Sequence, residues 1–161
     1  MKLRALALLL IASAPLLGPA GDPGNAPAGP ASRRLLLRLR TPAEVAREPG
    51  AAPVALVSQR RISGPPQRER RPEPSTQQLL LVVLGSGNEE IARVTVIDPR
   101  LVRAELPGPT GELTSTLLVR DDVQFPVVIP DHPAAHRVEI FKPDWTGAKF
   151  VLLPVGAVEL P

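Results

Sequence analysis

The two histidines of the chain lie four residues apart in Asp131-His132-Pro133-Ala134-Ala135-His136, with Asp121 and Asp122 shortly before them. On a helix that spacing would bring both imidazoles to one face beside carboxylates, the donor set a zinc site draws on. Pro133 works against a helix. The expected conformation is a turn between strands, in which aspartate favours the change of direction and the histidines are incidental. A metal-dependent hydrolase around His132 and His136 is the alternative reading, and no metal ligand is assigned. Gly85-Ser86-Gly87 is the second motif to weigh. A phosphate-cradling loop needs more glycines at set spacing and a helix after it. Ile91–Ile97 instead reads as a strand, so a tight hairpin turn is expected. Ser86 has the wrong offset from its glycines for a nucleophile elbow, and no serine is singled out for a triad. The expectation is a protein without catalytic or cofactor-binding residues: not an enzyme, with no cofactor.

The third constellation is basic. Arg60, Arg61, Arg68, Arg70 and Arg71 cluster in sequence, diluted by Glu69 and Glu73. Guanidinium groups pair with carboxylate or phosphate, so these five are the candidate contacts to an anionic partner, either an acidic protein surface or a polyanion. The simpler reading is a charged, solvated loop. Net charge does not argue for nucleic acid. The chain of 161 residues carries 19 basic and 16 acidic side chains, and removal of residues 1–20 leaves +1. Base stacking needs aromatic platforms, and only Trp145, Phe125, Phe141 and Phe150 are present. Nucleic acid is therefore not the expected partner, and the same scarcity counts against a carbohydrate binder. Trp145, in Asp144-Trp145-Thr146-Gly147, is expected to fold back over the end of the core. The charge is uneven: residues 21–74 hold ten arginines and five acids, residues 75–161 seven basic and eleven acidic side chains.

Residues 1–20 read as a secretory signal peptide. Lys2 and Arg4 form the positive n-region, Ala5–Ala14 is apolar, and Gly18 and Ala20 suit a cleavage site after position 20. The apolar stretch is too short for a spanning helix, which needs about 20 residues, so no membrane span is expected after cleavage. The absence of cysteine excludes disulfides, thiolate metal sites, a cysteine nucleophile and a lipid-modified N-terminal cysteine. A secreted or periplasmic location follows as the expectation.

The elements that must position any site are strands. Twenty-one prolines leave little room for long helices. Residues 21–32 are dense in Gly, Pro and Ala and read as a flexible leader. Arg33–Thr41 alternates strictly, with Leu35, Leu37 and Leu39 on one face and arginines on the other, as a half-buried strand does. Val54–Ile62 is a second strand, and a single helical turn fits around Ala43–Arg47 between them. Ser63–Thr76 reads as a Pro/Arg-rich loop of polyproline II character. Leu79–Leu84 and Ile91–Ile97, split by Gly85–Asn88, form a hairpin. Further strands are expected at Leu101–Leu106, Glu112–Arg120 (Leu113, Ser115, Leu117 and Val119 on one face), Val123–Ile129 with Pro126 marking an edge, His136–Phe141, and Lys149–Leu160, the last kinked or split around Pro154 and Gly156.

Eight or nine short strands at this spacing define an all-β, antiparallel two-sheet sandwich in a single domain, 33–161. In strand rhythm it is similar in general character to immunoglobulin-like and fibronectin-type-III-like sandwiches, without the cysteine pair and intervening tryptophan of true immunoglobulin domains. That resemblance implies an architecture and no activity. The functional expectation is an exported, non-enzymatic β-sandwich module that acts through protein contacts in the cell envelope or extracellular space. Polyanion binding by the arginines at 60–71 is the alternative of a second class. Neither a partner's identity nor an oligomeric state is legible at this level.

Overall fold

A computed structural model describes residues 31–66 and 73–161. The expected signal peptide and nearly all of the leader lie outside the described residues, as do Arg68, Arg70 and Arg71. The described chain is all-β, with one short helix: β1 (Ala31–Arg40), α1 (Pro42–Arg47), β2 (Val54–Ser63), β3 (Gln78–Gly85), β4 (Glu90–Ile97), β5 (Leu101–Pro107), β6 (Leu113–Val119), β7 (Asp122–Pro130), β8 (Ala135–Trp145) and β9 (Phe150–Glu159). The first strand starts at Ala31, two residues before the expected boundary, because Ser32 is buried and its hydroxyl donates to the Gly64 carbonyl at 2.7 Å.

The strands form a two-sheet antiparallel sandwich with a separate two-stranded ribbon. One sheet has the order β2-β1-β7, the facing sheet β4-β3-β8-β9, and the ribbon is β5-β6. Strict alternation places Leu35, Leu37 and Leu39 of β1 fully inside, opposite Leu79, Leu81 and Val83 of β3 and Val138 and Ile140 of β8. Each such side chain contributes roughly 1.5–3 kcal/mol by leaving water. β3 is buried on both faces. Its outward Leu80, Val82 and Leu84 form a second small cluster with Phe141, which is why Leu79–Leu84 reads as an unbroken apolar run rather than an alternation.

Edges and kinks fall where proline and glycine require them. Pro126 lies on β7, an edge strand of its sheet, where a missing N–H costs no ladder bond. Lys149–Leu160 is one strand, β9, with a register shift where Ile140 faces Gly156 and Phe141 faces Pro154. Gly156 also lets the two sheets close on the β2/β9 side: a Cβ there would sit 2.8 Å from Val54 Cγ2 and 3.2 Å from Pro53 Cγ.

Two sequence expectations are corrected. The alternating face of β6 does not enter the sandwich. Leu113, Leu117 and Val119 are 66%, 49% and 59% exposed, and neither β5 nor β6 makes an extended contact with any element but its partner strand. Trp145 does not fold over the core either. It is 50% exposed and packs against Phe150, ring centroids 5.0 Å apart.

Candidate functional site

The β5-β6 ribbon is an arm inserted between β4, an edge of one sheet, and β7, an edge of the other. Asp98 fixes its root. The Asp-Pro sequence ends β4, and the Asp98 N–H donates to the Gln77 carbonyl at 2.8 Å. The Asp98 side chain is fully buried. It accepts from Arg100 Nε at 3.0 Å and Nη2 at 2.8 Å, from the Arg100 amide at 3.1 Å, and from Lys142 Nζ at 2.8 Å. Burial pushes the Asp98 carboxyl up, but the hydrogen bonds from Arg100 and Lys142 outweigh it and hold the group below the ordinary aspartate range. Across the root, the Arg120 N–H donates to the Arg100 carbonyl at 2.8 Å. Rigid support thus ends where the arm begins.

Beyond the root the arm is apolar and, among the described residues, uncovered. Its register pairs Val102 with Leu118, Ala104 with Thr116 and Leu106 with Thr114, so one whole face carries no charge. The opposite face adds Leu101, Leu117, Val119 and Leu113 around Arg103 and Glu105. A lone two-stranded ribbon is marginal in water, and exposed contiguous apolar surface marks contact sites. The sequence predicted both strands but not their exposure, because period-two alternation is the same for a covered and an uncovered face.

The structure divides the arginine cluster. Arg60 and Arg61 stand on successive positions of β2 and therefore on opposite faces. Arg61 Nε lies 2.6 Å from Asp131 Oδ2, and Arg33 Nη2 lies 3.0 Å from Asp131 Oδ1. The carboxylate between them is only 6% exposed. Arg33 and Arg61 are directly paired across the strands, so Asp131 cancels what would be a like-charge repulsion. The turn expected here is present, closed by the Ala135 N–H on the His132 carbonyl at 3.0 Å with His132 and Pro133 exposed, while the Asp131 side chain is drawn inward between the two arginines. Arg60 is exposed and faces Arg34, also exposed, across the same ladder. Among the described residues neither has a carboxylate partner. Arg34 was not a sequence candidate, since it is 26 positions from Arg60 in the chain and only strand pairing brings the two together.

The other motifs resolve locally. His132 Nδ1 accepts from the Ala134 amide at 3.2 Å, whereas His136 Nε2 faces Glu159 at 3.3 Å. Among the described residues no three His, Asp or Glu side chains gather as a metal site requires. Gly85–Asn88 is a tight turn, closed by the Asn88 N–H on the Gly85 carbonyl at 3.0 Å, with Asn88 at φ 62°. The Gly87 amide donates to the Glu89 carboxylate at 3.0 Å. A groove of about 700 Å³ runs over the four-stranded sheet, walled by Leu80, Pro143, Phe150 and Leu152. Glu90 and Arg93, which also line it, pair with each other at 2.7 Å.

Among the described residues no helix is long and apolar enough to cross a membrane. No family model matches the chain, and neither a curated protein nor a solved structure is detectably similar to it.

Proposed function

We propose that this chain is an exported, non-enzymatic β-sandwich module that contacts other polypeptides through the β5-β6 arm. The carrying observation is the arm itself: a ribbon whose apolar side chains have no covering layer among the described residues, held at its root by the Asp98–Arg100–Lys142 cluster around the buried Asp98. Stability gives no reason to leave Leu113, Leu117 and Val119 in water, whereas a contact site does. Export rests on the pattern of residues 1–20. The non-enzymatic reading rests on the sequence motifs, none of which has the spacing of a nucleophile elbow or a phosphate-binding loop. Photo-cross-linking tests the proposal. A cross-linker at Leu117 should capture polypeptide in the source cell, and one at the exposed helix position Ala43 should not. Equal capture from both positions would remove the arm's role.

The Arg34–Arg60 pair favours a second reading, binding of a polyanion. Two exposed guanidinium groups directly opposite each other repel, and an anion between them would relieve that repulsion. Such binding would weaken steeply with added salt. A flat salt response on a heparin surface would eliminate it.

A further inference from the structure

Resting on the arm as contact site, we infer that its partner is a second copy of this chain, joined edge to edge through β5 about a two-fold axis at Ala104. The ends of the ribbon fix which backbone groups of β5 bond to β6. The Gly108 N–H donates to the Glu112 carbonyl at 2.6 Å, and the Arg120 N–H donates to the Arg100 carbonyl at 2.8 Å. In an antiparallel ladder, hydrogen-bonded pairs recur every second residue. Val102, Ala104 and Leu106 therefore direct their backbone groups towards β6. Leu101, Arg103 and Glu105 direct theirs outward, to an edge that no strand among the described residues occupies.

The sequence of that edge is complementary to its own reverse. With Ala104 opposite its symmetry mate, Arg103 of one copy faces Glu105 of the other, twice. Both residues belong to the outward set, so their backbone groups form a reciprocal pair of hydrogen bonds beneath two ion pairs. Val102 then faces Leu106, and Leu101 faces Pro107, whose missing N–H falls at the end of the ladder. Moving the axis to Arg103 would set two arginines against each other, and moving it to Glu105 two glutamates, both destabilising. Charge thus selects one register. Among the described residues neither Arg103 nor Glu105 has an ion-pair partner within its own chain. The other edge offers no such selection, since Leu113–Val119 carries no charge.

Joining two arms turns two marginal ribbons into one four-stranded sheet, β6-β5-β5-β6, of the size that holds independently. An edge-only contact is small, so association in the micromolar range is expected. Lipid is a poor alternative occupant, because an open ribbon would carry unpaired backbone groups into hydrocarbon.

Sedimentation of the processed chain across micromolar concentrations should show reversible dimers. Arg103→Glu and Glu105→Arg should each reduce dimerisation at least tenfold, and the double exchange should restore it, because it re-creates complementarity. Both sites are exposed, so folding is not at risk. The chain has no cysteine, which makes cross-linking clean. The axis places the two Ala104 residues as a non-hydrogen-bonded pair, within disulfide reach. Ala104→Cys should therefore oxidise to a covalent dimer, and Ser115→Cys should not. A monomer at all concentrations, an unaffected Arg103→Glu dimer, preferential linkage through Ser115→Cys, or co-sedimentation with anionic vesicles in place of dimers would each overturn the inference. A monomer whose Leu117 cross-linker still captures another protein would leave the arm's contact role standing and refute only self-association.

Discussion

β1 and β6 are written in the same alternating pattern, yet one lies at the centre of the molecule and the other in water. Leu35, Leu37 and Leu39 are fully buried, while Leu113, Leu117 and Val119 keep about half or more of their surface exposed. The difference comes from position. β1 sits between β2 and β7 beneath a facing sheet, whereas β6 has β5 on one side and, among the described residues, no layer above it. Alternation tells which side chains share a face. It does not tell what covers that face.

That contrast is open to direct attack. Leu37→Ala should cost about 2–5 kcal/mol in urea denaturation, the sum of lost transfer energy and a cavity. A cost like that of a surface site would contradict the packing of β1. Asp98→Ala leaves Arg100 and Lys142 without their buried counter-charge, and a loss of about 3 kcal/mol is expected. Amide exchange should rise in the arm more than in β1. Uniform acceleration would mean that Asp98 supports the sandwich and not the root. Gly156→Val forces a side chain into the space of Val54, and destabilisation of about 1–3 kcal/mol should follow. An unchanged midpoint would show that the β2/β9 side is looser than described.

Acid should act on the same root and on the Arg38–Asp122 pair that joins β1 to β7. The hydrogen bond from Arg38 holds the Asp122 carboxyl low, and those from Arg100 and Lys142 do so for Asp98 against its burial. Both folded values lie below the free aspartate value of about 3.9. Their contribution is complete above that pH and disappears as the pH falls through the lowered folded values. Urea midpoints should therefore fall below about pH 4, less steeply in Asp98→Asn. Parallel curves would deny Asp98 its part. The smallest effect belongs to the arm: Leu117→Ala should change monomer stability by no more than about 0.5 kcal/mol, in sharp distinction from Leu37→Ala. A core-sized loss would mean that β6 is covered after all.

Much of the sandwich was legible beforehand. Strand positions followed from leucine and valine alternation, the edge placement of β7 from Pro126, and the irregularity of β9 from Pro154 and Gly156. The candidate site was much less so. Asp98 reads in sequence only as a strand terminator before Pro99, because its ion-pair partner Lys142 is 44 residues away. The Arg60–Arg61 dipeptide reads as a single basic unit. Strand geometry sends the two to opposite faces, one neutralised by Asp131 and the other set against Arg34.

Local chemistry thus determined which segments extend, where they turn and which side chains lie together along each strand, since these depend on dihedral preference and on a period of two residues. The assignment of a face to core or to solvent belonged to tertiary structure alone. It depends on which strands become neighbours across long loops, and hence on whether a second apolar layer arrives to exclude water from the first.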